Sequence, residues 1–266
     1  MSDRTRRMGL GSRINRALGL IDPSGIKQMA KRLDALEAHA RQESKWRGHM
    51  VGKLDALIRT QYLETFLNDT YPQAVTARRF KLYSQNEEDG MVLALLDAAG
   101  IVSKNFVEIG SGGSGGNSGM LSREFGWRGV MVDYGKRNIE RAAAKFGANP
   151  LVAFEHLEVT PDNVDEMIRR NELDGEVDFF SLDIDSFDYW VLKAMTACSP
   201  RIMVLEYNGH FGPEASLTIA ADSDMSKAPK GVHGASITAL TKLADDKGYK
   251  LLACDPTGTN AFYMRK

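Results

Sequence analysis

The sequence predicts an α/β fold, in which an open and mostly parallel sheet carries helices on both faces behind a helical amino-terminal extension. Three stretches predict it. Residues 104–133 read as a strand, a glycine-rich loop, a helix and a second strand, which is a minimal βαβ unit. Residues 177–192 contain a buried strand that ends in acidic side chains, and residues 249–264 contain two strands around a turn. The βαβ unit requires parallel pairing, and the closing pair adds an antiparallel strand.

Composition and charge are those of a globular protein. Of 266 residues, 43% are hydrophobic and 26% charged, and the formal net charge of -1 argues against wholesale nucleic-acid binding. Two cysteines cannot form a disulfide framework or a thiolate metal site, and they fit a reducing cytoplasm. No run of about twenty apolar residues could span a bilayer, and the start of the chain lacks the apolar core of a secretory signal.

The first 25 residues form a basic leader, in which arginines alternate with apolar residues. Such a segment can lie on an anionic membrane surface as a peripheral contact. The alternative is a solvated leader, because its four glycines weaken any helix. The arginines are Arg4, Arg6, Arg7, Arg13 and Arg16.

Residues 26–75 predict a helical extension with a heptad pattern over residues 26–64. Apolar residues at the a and d positions indicate a coiled-coil seam that could pair two chains as a homo-oligomer. An amphipathic helix folded against its own domain explains them equally well. Tyr71 and Pro72 end the region and place the main domain at residues 76–266. The apolar a and d residues are Ile26, Met29, Leu33, Leu36, Ala40, Met50, Leu54 and Leu57.

The loop after the first predicted strand, residues 106–109, is rich in glycine. Glycines at positions 110, 112, 113, 115 and 116 admit positive φ and let a ligand lie against the main chain. The following helix, expected near Met120 with Asn117 or Ser118 as its cap, would face the loop as at nucleotide sites. The second strand ends at Asp133, where an acidic side chain can accept both ribose hydroxyls. A flexible linker has a similar composition, but linkers lack such flanking strands.

The loop contains a G-x-G-x-x-G pattern, which alone is a weak signal. Residues 107–112, VEIGSG, place Glu108 two residues before the first glycine. This run resembles the signature of class I S-adenosylmethionine (SAM)-dependent methyltransferases. The resemblance implies a Rossmann-like, seven-stranded methyltransferase sheet and SAM as the cofactor. It also implies cofactor-binding roles, which on this chain fall to Glu108, Gly110, Ser111, Gly112, Asn117 and Asp133.

Two further segments are similar to FkbM-like methyltransferases. Residues 83–90, YSQNEEDG, resemble a Ser-Gln...Glu-Asp motif of this group. The resemblance implies that Gln85 and Asp89 line the methionine end of the cofactor. The alternative is structural, because three consecutive acids at a helix start are also explained by the helix dipole alone. Residues 183–188, DIDSFD, resemble a motif that follows the fourth strand, with departures at 183, 186 and 187. Three carboxylates within six residues at a strand end indicate a site, because ligands of open α/β sheets bind there.

The remaining elements follow in order. A helix is expected at residues 136–146, a third strand at 151–159 and a fourth at 177–184. The resemblance to class I methyltransferases implies that the loop after the third strand reaches the adenine through His156 or Glu158, although either residue could equally be a solvated strand-end residue. A fifth strand at 201–206 leads to His210, a candidate general base. Asp183 or Asp185 together with Glu206 could instead hold a divalent cation through oxygen ligands, although nothing in the sequence fixes that geometry. A lid-like loop at 212–234, a helix at 236–245 and strands at 249–253 and 261–264 complete the chain.

These features predict a SAM-dependent O-methyltransferase that acts on a hydroxyl of a sugar, glycan or secondary metabolite. Asp183, Asp185 and His210 are the expected catalytic residues. One alternative is an NAD(P)-dependent oxidoreductase, although no Tyr-x-x-x-Lys pair stands at a position suited to hydride chemistry. The other is a non-catalytic ligand-binding scaffold that oligomerises through its amino-terminal helix.

Overall fold

The computed structural model describes residue 34, residues 73–225 and residues 231–266. The basic leader, the heptad region and the boundary at Tyr71 and Pro72 lie outside the described residues, so the predictions made for them stay predictions. Within the described part of the chain, no helix has the length and apolar composition needed to cross a membrane.

The domain is built on a seven-stranded sheet with the order β3-β2-β1-β4-β5-β7-β6. All neighbouring strands are parallel except β7, which is antiparallel to both β5 and β6. The predicted α/β class, with a Rossmann-like seven-stranded sheet that is mostly parallel, is therefore confirmed. The strands are β1 (Asn105–Ile109), β2 (Arg128–Asp133), β3 (Val152–His156), β4 (Gly175–Leu182), β5 (Cys198–Glu206), β6 (Tyr249–Cys254) and β7 (Asn260–Arg265).

Helices cover both faces of this sheet, because the buried strands are apolar on both sides. Alternate residues of one strand enter opposite cores: Val107 and Ile109 pack in one cluster and Phe106 in the other. The helices are α1 (Gln73–Thr76), α2 (Glu88–Ala99), α3 (Gly119–Arg123), α4 (Lys136–Phe146), α5 (Val164–Arg170), α6 (Asp188–Ala194) and α7 (Ile237–Asp246), with one 3-10 turn (Gly209–Phe211).

Most predicted elements occur within two or three residues of their expected ends. The third strand is shorter than predicted, since it ends at His156 and leaves Glu158 in the following loop. The predicted side-chain cap of α3 is wrong. Ser118 occupies the cap position, but its hydroxyl donates to the buried Glu108 carboxylate instead of a helix amide. Ser236 does cap α7, accepting a hydrogen bond from the Ala239 amide at 3.2 Å.

Asp178, on β4, fixes the chain where it enters β1. Its side chain is fully buried and accepts backbone N–H bonds from Val102, Ser103 and Lys104 at 3.0, 2.8 and 2.6 Å. The Arg201 guanidinium lies 3.6 Å away. These hydrogen bonds compensate for the burial of the carboxylate, and losing it leaves several amides without an acceptor.

We expect Asp178→Asn to lower the free energy of unfolding by about 2 kcal/mol, because an amide nitrogen would then face three backbone donors. Urea unfolding monitored by circular dichroism measures the change. Asp174→Asn, an exposed residue just before β4, is the matched control and should unfold like the wild type. Equal stability of the two variants would contradict this role of Asp178.

Candidate functional site

A cleft of about 740 Å³ opens at the carboxyl ends of β1, β2 and β4, where the strand order brings the glycine loop beside the acidic segment. We call it the glycine-loop cleft. Strand ends of this kind are the usual ligand sites of open α/β sheets. Its lining includes Gly110, Gly112, Asp133, Tyr134, Asn138, Glu158, Asp183, Asp185 and Phe187, together with Ala221 and Met225 from the loop after β5.

Gly110 is the tightest point of the loop. Its φ is +86°, and a Cβ at this position would lie 1.6 Å from the Asp183 carbonyl oxygen. Its amide donates to the Val132 carbonyl at 2.8 Å. Only glycine permits both the left-handed backbone and this close approach to Asp183. Gly110 therefore allows the loop to pack directly against the acidic segment.

Glu108 lies directly beneath the loop and is completely buried. It accepts hydrogen bonds from the Asn117 amide at 3.2 Å and the Ser118 hydroxyl at 2.5 Å. A Cβ at Gly116 would lie 2.0 Å from its Oε1 atom. Burial raises the pKa of the Glu108 carboxyl to about 8, against the lowering effect of these hydrogen bonds. Glu108 therefore holds the loop from below.

Asp133 fastens the loop to the end of β2. One carboxylate oxygen accepts from the Gly112 amide at 2.9 Å, and the other accepts from the Gly135 amide at 2.7 Å and Asn138 Nδ2 at 3.1 Å. The side chain is nearly buried but lines the cleft. The oxygen that accepts from Gly112 can still accept one more donor, such as a ribose hydroxyl, because a carboxylate has about four acceptor sites and three are in use.

The three acids after β4 have different surroundings. Asp188 is buried and shapes the turn, accepting hydrogen bonds from the Ile184 and Ser186 amides at 2.9 and 3.0 Å. Asp183 and Asp185 line the glycine-loop cleft. Burial, followed by repulsion from Asp188, raises the pKa of Asp183. Two of the three acids thus face the cleft, and the third positions them.

A second cavity of about 520 Å³ lies beside the cleft. Glu206, at the end of β5, lines it and shares a hydrogen bond with Asp183 of the cleft. Burial, followed by repulsion from Asp183, raises the pKa of Glu206. The pair therefore connects the two cavities. The polar residues that line the second cavity include Tyr207, Asn208, His210, His233, Thr257 and Thr259.

His233, Asp185 and Glu206 meet at this junction. His233 Nδ1 lies 3.8 Å from Asp185 Oδ1, and the Asp185 amide donates to Glu206 Oε2 at 3.2 Å. One potential ligand atom from each of the three side chains lies within 4.8 Å of the others. The buried Asn208 side chain holds the segment in place by donating to the His233 carbonyl at 3.1 Å.

The structure places the predicted site residues in four different settings. Six of them line the glycine-loop cleft, and His210 lines the second cavity. Glu108, Ser111 and Asn117 are buried and absent from both linings, where they support the loop. Gln85 is exposed and lines neither cavity, and Asp89 is buried with one oxygen accepting from the Leu82, Tyr83 and Ser84 amides. The six cleft residues are Gly110, Gly112, Asp133, Glu158, Asp183 and Asp185.

The sequence analysis missed His233. It lies three residues before the helix cap Ser236, and the side chain of Trp190 helps to hold the preceding loop by donating to the Ile219 carbonyl at 2.9 Å. The only local signal was a histidine in the run Gly231-Val232-His233-Gly234, which is ordinary in a surface turn. Its partners come from β4 and β5, so its importance depends on the tertiary fold.

Solved structures similar to this one include SAM-dependent methyltransferases. An O-methyltransferase from Bacillus cereus in complex with SAH has 16% identity and a TM-score of 0.44, covering 78% of this chain and 98% of that chain. A TehB-like methyltransferase from Corynebacterium glutamicum has 11% identity and a TM-score of 0.37, covering 66% and 87%. The CurJ carbon methyltransferase has 12% identity and a TM-score of 0.42, covering 66% and 52%. No family model matches the chain, and no protein of curated function matches it in sequence.

The raised pKa of Glu108 predicts a pH-dependent stability. A carboxyl that holds its proton more tightly in the folded state stabilises the fold below its unfolded pKa, and this contribution is lost as the pH rises through about 8. We expect Glu108→Gln, which cannot ionise, to reduce the fall in unfolding free energy between about pH 5 and about pH 8. Glu140→Gln, on the exposed face of α4, is the control. If the unfolding free energies of wild type and Glu108→Gln changed in parallel with pH, the raised pKa of Glu108 would be refuted.

Proposed function

We propose that the protein is a SAM-dependent O-methyltransferase that acts on a hydroxyl of a sugar, glycan or secondary metabolite. The observation that carries the proposal is the pair of adjacent cavities, one at the glycine loop and one beyond it, connected by Asp183 and Glu206. A methyl transfer needs this arrangement, because donor and acceptor must meet in line across a short distance. A closer relationship to FkbM-like methyltransferases is part of the same proposal.

The glycine-loop cleft would hold the cofactor. Main-chain atoms at Gly110 and Gly112 would contact its amino acid portion, and Asp133 would accept a ribose hydroxyl. Tyr134, which follows Asp133 and has 74% of its surface exposed, offers an aromatic face for the adenine. Glu158 stands at the same end of the cleft, on the loop after β3.

The second cavity would hold the acceptor. Its described lining consists mostly of hydroxyl, amide, imidazole and backbone groups, which suit a polyhydroxylated ligand. It contains no lysine or arginine among the residues that the structure describes, so a neutral acceptor fits better than a phosphorylated one. A neutral hydroxyl is therefore favoured over an anionic group as the methyl acceptor.

The chemistry follows from this placement. The acceptor oxygen attacks the methyl carbon, the S–CH₃ bond breaks, an O–CH₃ bond forms, and S-adenosylhomocysteine leaves. The hydroxyl proton passes to a base at the junction, for which Asp183 has the best position, since it lines the cleft and is hydrogen bonded to Glu206. Asp185 would border the reacting atoms, and His210 would bind the acceptor from the far side of the second cavity.

The oxidoreductase alternative shares the glycine loop but lacks its catalytic pair at the site. Tyr189 and Lys193 have the Tyr-x-x-x-Lys spacing, yet neither lines the glycine-loop cleft. Lys193 instead lies over the Trp190 ring, with its Nζ 5.0 Å from the ring centre. No observation favours hydride transfer over methyl transfer.

Calorimetric titration with S-adenosylhomocysteine and, separately, NADH tests the cofactor assignment. We expect only S-adenosylhomocysteine to bind, and Asp133→Ala to weaken it at least about tenfold, because the variant loses both a ribose acceptor and the Gly112 contact. Asp162→Ala, at an exposed position beside the cleft, is the control and should bind normally. Binding of NADH alone would favour the oxidoreductase, and binding of neither ligand would favour the scaffold.

Radiolabelled methyl transfer from SAM to a panel of sugars and hydroxylated metabolites tests the catalytic assignment. We expect Asp183→Asn to lower kcat at least about 100-fold, the size of effect typical of a lost general base. Its affinity for S-adenosylhomocysteine, measured on the same preparation, separates catalysis from cofactor binding. Glu166→Gln, exposed on α5, serves as control. A variant with wild-type kcat would remove Asp183 from the mechanism.

A further inference from the structure

We propose that Asp185, Glu206 and His233 bind one divalent transition-metal ion between the glycine-loop cleft and the second cavity. The three side chains come from the loop after β4, the end of β5 and the segment before α7. Their potential ligand atoms lie within 4.8 Å of one another. Two donors on one ion, each at about 2.1–2.3 Å, stand at most about 4.5 Å apart, so small side-chain rotations would complete the site.

A buried oxygen beside Glu206 supports the assignment independently. Asn260 lies directly opposite Glu206 in the β5–β7 pairing, so the two side chains project from the same face of the sheet. Asn260 is 4% exposed, and its Oδ1 atom accepts no hydrogen bond from the described residues. Its orientation is fixed, because Nδ2 donates to Glu88 Oε1 at 2.9 Å. A buried acceptor without a protein donor is explained by an ordered water or an ion, and the ion proposed beside Glu206 would supply one.

The charge of the junction points the same way. Asp183, Asp185, Asp188 and Glu206 act on one another electrostatically, and neither cavity has a lysine or arginine in its described lining. Partly buried carboxylates without a counter-charge destabilise the folded state. One divalent ion at the junction would offset this repulsion, and it would do so next to the atoms that react.

The donor set indicates which ions would bind. Two carboxylates and one imidazole suit first-row transition ions such as Mn²⁺, Fe²⁺ or Zn²⁺, whereas Mg²⁺ prefers oxygen ligands alone. Asp185 is mostly exposed, with 78% of its side chain accessible, so the site opens to solvent and leaves coordination positions for other ligands. We therefore expect Mn²⁺ and Zn²⁺ to bind more tightly than Mg²⁺.

The role of the ion rests on the proposed methyl transfer, although its binding does not. An acceptor hydroxyl bound to the ion would lose its proton more readily, because a divalent cation stabilises the alkoxide. The proton would pass to Asp183 or to solvent, and the acceptor oxygen would take the methyl group as the S–CH₃ bond breaks and S-adenosylhomocysteine leaves. The ion would keep its charge, so no oxidant or reductant is needed.

Titration of the EDTA-treated, full-length protein with Mn²⁺ tests the proposal without any cofactor, using the electron paramagnetic resonance signal of free Mn²⁺. We expect one ion per chain, displaced readily by Zn²⁺ and weakly by Mg²⁺. Asp185→Asn and His233→Ala should each weaken Mn²⁺ binding at least about tenfold. Both positions are at least partly exposed, so the variants should fold, which circular dichroism verifies.

His156→Ala is the matched control, because this exposed histidine at the end of β3 is not one of the three proposed ligands. It should bind Mn²⁺ like the wild type. Absence of saturable binding, or equal affinity in all the variants, would overturn the proposal. If metal-free protein binds S-adenosylhomocysteine but not Mn²⁺, the ion assignment alone fails. If it binds Mn²⁺ through these residues but no S-adenosylhomocysteine, the methyltransferase proposal fails instead.

Discussion

The contact between Gly110 and the Asp183 carbonyl is the constraint on which the site depends. A side chain at Gly110 would overlap the main chain of β4, so any larger residue would push the glycine loop away from the acidic segment. The strand order makes the contact possible, because it places β1 directly beside β4. The glycine loop and the acidic residues, about 70 positions apart in sequence, thereby form two walls of one cleft.

The carboxylates around the site belong to two sets with different roles. Glu108 and Asp178 are buried and bind backbone or hydroxyl donors, so they fix the main chain around β1. Asp183 and Glu206 are close together with no lysine or arginine in the described linings, which is costly for stability. An arrangement of neighbouring acids that weakens the fold is characteristic of a functional site.

The sequence predicted the parts of this site that depend on local pattern. The glycine loop, Asp133 and the acids after β4 each follow a buried strand, and strand ends of a parallel sheet must lie along one edge. It did not predict that Asn117 and Ser118 would turn inward to Ser181 and Glu108, because a helix cap and a buried hydrogen bond use the same residue types. His233 was also missed, since its partners come from two distant strands and no spacing along the chain encodes the contact.

The charge of the junction bears on the rate of the proposed transfer. The sulfonium of SAM is cationic and its product is neutral, so positive charge disappears from the donor as the methyl group moves. Fully ionised carboxylates beside the donor would stabilise the reactant more than the transition state, which would slow the reaction. Partial neutralisation of the Asp183–Glu206 region avoids this penalty, whether by a retained proton or by a bound cation. A cation has the further advantage of stabilising the acceptor alkoxide. The same ion would therefore favour both the loss of positive charge from the donor and the ionisation of the acceptor.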